Sequence, residues 1–166
     1  MGLDFELAGD LLYVTTPISD TVYVYQETQL AKRIYTGNHN VTVGSTSDFF
    51  DQFRNSTYRD AQKIPFYKEL LIDKNTDNPY GYRILSKGNE GILDAELGVP
   101  QLQSKGELLG IINLKTGQTN YIELPTNTIA HYGGFAYNSK LYLKRKEQDI
   151  ESELVFNVYQ LENLEE

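Results

Sequence analysis

A chain of 166 residues, 40% apolar and 23% charged, carries enough apolar side chains for one packed core and too many for a disordered segment. Its longest apolar runs, such as Leu108-Leu109-Gly110-Ile111-Ile112, are strand-sized and far short of the roughly 18 residues that a spanning helix needs, so no membrane span is expected. A formal charge of −8 with dispersed basic residues argues against a nucleic-acid partner, and the absence of cysteine excludes a disulfide framework, a thiolate metal site and a cysteine nucleophile.

Tyrosine is abundant, at 13 residues, and with Val, Ile, Thr and Phe it falls in short runs separated by turn residues. These residues suit a pleated, half-buried surface, so the chain reads as all-β. In residues 3–35, Leu3-Asp4-Phe5-Glu6-Leu7 alternates with the strand period. Ala8-Gly9-Asp10 turns into a strand from Leu11 to Thr16, and Pro17-Ile18-Ser19-Asp20 turns into another from Thr21 to Gln26. Leu30 to Tyr35 completes a four-stranded antiparallel meander.

Residues 36–65 are polar and break this rhythm. Within them Phe49, Phe50 and Phe53 have helical spacing behind Ser47, a fair N-cap, which predicts a loop insertion with one short helix. Residues 66–126 resume the strand pattern. Tyr67–Ile72 and Tyr82–Ser86 form one pair, and Leu108–Leu114 and Thr119–Leu124 flank the hairpin turn Lys115-Thr116-Gly117-Gln118. Gly88, Gly91, Gly98, Pro100 and Gly106 make residues 87–106 read as a long irregular connection. Residues 129–162 hold a third unit in which Gly133–Tyr137 leads into a turn at Asn138-Ser139, with strands at 140–144 and 154–160 and no evident fourth. Lys140, Lys144, Arg145 and Lys146 are the one basic cluster, expected to mark a solvated strand edge.

The first and third units repeat. FELAGDLLYV is set against FAYNSKLYLK, and DTVYVYQ against LVFNVYQ. Three meander units, the last without a fourth strand, at a period near that of kelch repeats predict antiparallel four-stranded meander blades of a partial β-propeller, with a β-sandwich or barrel as the alternative. An open stack of blades leaves apolar faces at both ends, so missing propeller blades or a second copy of the chain are the expected partners.

The strings LDFELAGDLLYVTTPISDTVYVYQ, YGYRIL, LGIINLKTGQTNYIEL and GGFAYNSKLYLKRKEQDIESELVFNVYQLE together resemble the later blades of bacterial TolB-like six-bladed β-propeller proteins. Many of those are lipoproteins of unknown function, so the resemblance implies a periplasmic or cell-surface location. The chain departs from the family in showing no signal peptide, no lipidation cysteine and about half of the blades.

Tyr80-Gly81-Tyr82-Arg83 is the most ligand-like string, because Tyr and Arg combine large contact area with directed hydrogen bonds. Strand alternation sets against this a packed Tyr82 with a surface Arg83 on the opposite side. His131 and Tyr132 open the third unit and are candidates for a ligand site near a propeller axis, set against the reading of His131 as a plain loop histidine. The run from Asp73 to Asn78 begins like a calcium loop, but Asn78 stands where glycine is needed and Ile84 where a bidentate glutamate is needed. The two histidines, His39 and His131, form no zinc spacing. No metal and no cofactor are expected. Without a nucleophile elbow, zinc-protease or phosphate-loop motif, the expected function is a non-enzymatic binding or scaffold module for a protein, peptide or glycan ligand. The alternative is a propeller-type lyase or hydrolase with its site near the central axis.

Overall fold

The computed structural model describes residues 3–38, 40–45, 63–74, 79–93, 100–125, 134–145 and 154–160. The expected helix at residues 48–54 lies outside these. Four strands in chain order make the first sheet: β1 (Asp4–Ala8), β2 (Leu11–Thr15), β3 (Thr21–Gln26) and β4 (Gln29–Tyr35). Gly9, at φ 59°, turns β1 into β2 in a backbone conformation that costs glycine little.

The second sheet begins with β5 (Phe66–Ile72) and β6 (Tyr80–Ser86). It is then interrupted by a two-stranded ribbon, β7 (Asn89–Leu93) and β8 (Pro100–Ser104), and completed by β9 (Glu107–Asn113) and β10 (Thr119–Glu123) in the order β10-β9-β6-β5. Within the connection read as irregular at 87–106, residues 89–93 and 100–104 therefore pair as strands. Gly88 and Gly106, at φ 80° and 98°, face each other at the ribbon's base, where Lys87 N donates to Gly106 O and Lys105 N to Gly88 O, both at 3.0 Å. These glycines mark where the ribbon bends away from the sheet, and sequence alone does not separate that use from a loop. The third sheet is β11 (Phe135–Tyr137), β12 (Lys140–Lys144) and β13 (Phe156–Gln160).

The sheets stack face to face. Tyr13, Val22, Val24 and Ile34 of the first pack on Leu70, Ile72 and Ile112 of the second. Leu71, Tyr82, Ile84, Leu109 and Ile111 on the opposite face of the second pack on Leu141 and Leu143 of the third. The middle sheet is thus covered on both sides, which is why β6 and β9 are buried almost continuously, whereas β1 and β12 alternate. Each fully buried Leu or Ile in these contacts contributes about 1.5–3 kcal/mol from the area it removes from water. The chain is all-β: antiparallel meanders stacked face to face, with no sheet closed into a barrel among the described residues.

The repeat is real, but its register differs from the string comparison by one residue. Turn against turn, Gly9-Asp10 matches Asn138-Ser139, so Leu11 corresponds to Lys140 and Leu12 to Leu141. The third strands agree with this register: Leu11 pairs with Gln26 and Lys140 with Gln160. A one-residue slip exchanges the two faces of a strand. In the corrected register the first sheet presents Leu11 and Tyr13 to the middle sheet, and the equivalents Lys140 and Tyr142 face away from it. Equivalent residues therefore face the same way around the stack, as rotation-related units require. The similar letters Phe5 and Phe135 had concealed the offset. A second correction follows for the lysines. β12 is paired on both sides, so Lys140 and Lys144 stand on the outward face of the third sheet and not on a strand edge.

Candidate functional site

β6 sends Tyr80, Tyr82 and Ile84 toward the third sheet and Arg83 toward the first. The expected surface arginine is overturned: Arg83 is 0% exposed. Its guanidinium lies 3.4 Å from the ring centroid of Tyr67, and its fork bridges to the first sheet. Nη1 donates to Thr36 Oγ1 at 2.7 Å, and Nη2 donates to Thr15 Oγ1 at 2.7 Å and Thr16 O at 2.8 Å. Burial pulls the Arg83 pKa down to about 10, which still leaves it charged at neutral pH.

The surrounding hydroxyls extend this network. Tyr67 Oη lies 2.8 Å from Asp20 Oδ1 and 2.9 Å from Thr36 O, and Tyr121 Oη also donates to Thr36 O. Burial pushes both phenols up, so they act as neutral hydrogen-bonding groups. The void beside Arg83, lined by Asp4, Thr16 and Glu69 among others, measures about 10 Å³, the space of one water. Arg83 is a bolt between two sheets, with no room for a ligand beside it. Tyr82 is 1% exposed within the other apolar contact and Tyr80 is half-buried against it, so neither shares a cavity with Arg83. His131 and Tyr132 lie outside the described residues.

The ligand-sized opening is elsewhere. The first strand of each sheet, β1, β5 and β11, pairs on one side only among the described residues. Their neighbouring edges frame an open cleft of about 240 Å³, lined by Glu6, Leu71, Ile72, Lys74 and residues 134–137. Lys74 Nζ and Glu6 Oε2 form an ion pair at 2.8 Å across its mouth. Two aspartates hold the three edges in place: Asp4 Oδ2 accepts from Leu70 N at 2.6 Å, and Asp73 accepts from Asn138 N at 3.2 Å and Ser139 N at 2.6 Å. A bulge at Lys68-Glu69, where the β5–β6 register shifts, gives the strand the kink at which Asp4 meets Leu70 N. Gly134 is required for the approach of β11, because a Cβ there would stand 2.8 Å from Leu71 Cδ1 and 3.0 Å from Leu143 Cδ2.

Sequence reading missed Glu6, Lys74 and Gly134. Part of the signal was available in the repeat: if the first strands of the units lie side by side, Glu6 of β1 and Lys74 just after β5 come together. Among the described residues no cluster of His, Cys, Asp or Glu is arranged to hold a metal ion, and the one calcium-like aspartate in view, Asp73, is occupied with main-chain N–H groups.

No family model and no curated protein matches the chain. Among solved structures, a member of the DUF4221 family from Bacteroides vulgatus is similar, with a TM-score of 0.61 and 13% identity over 96% of this chain. The match takes in 46% of that chain, so this chain spans about half the length of the solved structure it resembles. At such identity the likeness concerns the fold alone, and fold and comparison together define an all-β protein of stacked antiparallel sheets.

Proposed function

We propose that this chain is a non-enzymatic binding module of β-propeller type, of the six-bladed TolB-like kind its sequence resembles, and that it takes an extended peptide segment in the cleft between β1, β5 and β11. The observation that carries this reading is the convergence of three strand edges on one cleft with a charged pair at its mouth. Edge strands offer unpaired main-chain groups to a fourth strand, and Lys74 and Glu6 supply charge recognition at one end. Catalysis through Tyr82 and Arg83 has no support in the geometry, because they point to opposite sides of β6 and both are buried.

The test is amide chemical-shift perturbation of the labelled protein with a library of short extended peptides. Shifts confined to residues 4–8, 70–74 and 134–137, weakened by Lys74→Ala, are the expected result. Shifts centred elsewhere, or binding indifferent to Lys74→Ala and Glu6→Ala, would remove the reading.

A further inference from the structure

The two ends of the stack carry apolar faces on which none of the described residues packs. On the first sheet, cross-strand pairing aligns Phe5 with Val14, Leu7 with Leu12 and Val14 with Tyr23, all on the face turned from the core. Phe5, Leu7, Leu30 and Tyr35 on that sheet are 66%, 59%, 42% and 62% exposed. Arg33 is the one charged side chain among the described strand residues of that face, and it lies 5.9 Å from the Tyr23 ring centroid. On the third sheet, Phe135 stacks on Tyr142 at 4.5 Å and meets Phe156 edge-on at 5.5 Å, with Val158 opposite Tyr142. Lys140 and Lys144 rim this face with long aliphatic stems, and among the described strand residues neither face carries a carboxylate.

From this and the sense of the repeat we infer that two copies of this chain associate head to tail, the free face of the first sheet of each seated on the free face of the third sheet of the other. In the corrected register both internal contacts join the forward face of one unit to the rearward face of the next. The third sheet ends on a forward face and the first begins on a rearward one, so the contact between copies repeats the contact already made twice within the chain. Heterologous contacts of this kind close into a ring when the rotation allows. The stoichiometry is two because the similar solved chain is matched over 46% of its length, which leaves space for one more complement of this size.

The areas agree. Strands about 4.8 Å apart, each of about five residues at about 3.3 Å, give a three- or four-stranded face of roughly 240–320 Å². Each contact then covers about 560 Å² and the closed pair about 1,100 Å², so closure through both contacts, and neither contact alone, passes the roughly 1,000 Å² that a specific association needs. This association does not depend on what the cleft binds.

Light scattering on the eluted protein tests it, with Leu7→Glu and Val158→Glu as probes. Both positions are more than half exposed, at 59% and 54%, so neither charge enters the chain's own core, and circular dichroism checks that each variant keeps its strands. The expected mass is twice the 19.0 kDa of one chain, falling to one chain in either variant. Mixing the two variants leaves one of the two contacts unaltered on both sides, about half of the full area, so the mixture is expected to stay at the mass of one chain. A wild-type monomer at micromolar concentration overturns the inference. So does a dimer that survives both substitutions.

Discussion

Between the first and second sheets the apolar contact surrounds a charged fork, and between the second and third it surrounds none. Arg83 reaches Thr15, Thr16 and Thr36 together, and only one lateral placement of the two sheets satisfies all three. Lys32 adds hydrogen bonds to Leu114 O and Lys115 O at the far end of the same contact. The second contact relies on Leu, Ile and Tyr side chains and is tied at its rim by Asp73. Apolar packing tolerates small slides that a planar, directional donor set does not. The contrast teaches that the first contact is specified by geometry and the second by volume.

The largest expected effect separates them. Arg83→Ala removes three charge-assisted hydrogen bonds and leaves a hole, and should cost about 3–5 kcal/mol in urea unfolding. Arg83→Lys should recover little, because an ammonium cannot span the same three acceptors. In the second contact Leu141→Ala should cost about 2–4 kcal/mol through lost burial and a cavity. There Leu141→Met should recover most of the loss, since volume is what that contact requires. Similar recovery by both conservative variants would erase the distinction.

A smaller effect is expected from pH at the first contact. Burial, then the Asp4 and Glu6 carboxylates, push the Glu69 pKa up to about 7 from 4.5. Its folded-state pKa therefore lies above its unfolded one. Between about 4.5 and 7 the native state holds the proton more tightly, so stability falls as pH rises through that window and levels off above it. Asp4, also raised mainly by burial, acts in the same direction at lower pH. Glu69→Gln should flatten this slope and stabilise the protein by about 1–3 kcal/mol at pH 8. Denaturation midpoints from pH 4 to 8 measure it, and an unchanged slope in the variant would show that Glu69 is not the titrating group.

The smallest effect concerns the rim. Asp73→Ala should cost about 1–2 kcal/mol, with Asn138 and Ser139 amides losing exchange protection ahead of the rest of the sheet. Uniform loss across all three sheets would mean that Asp73 acts on the whole stack instead.

Strand positions were legible because alternation and turn residues are local properties, and β2, β3, β9, β10 and β12 fall where their patterns place them. Meanders in series already implied stacked sheets, since a sheet with two apolar faces has to bury both. Three things were not local. The use of Gly88 and Gly106 as the base of a ribbon depends on strands pairing across 87–106. The one-residue register of the repeat depends on which faces meet, and side-chain identity alone misaligned it. The fate of Arg83 depends on threonines 47 and 68 positions away in the chain, which bring enough acceptors together to take a guanidinium out of water. Local patterning was enough to specify a β protein of repeated meanders. That its most ligand-like residue is a bolt, and that its open cleft lies along three strand edges, emerged from packing, because burial and convergence are properties of surfaces brought together from distant parts of the chain.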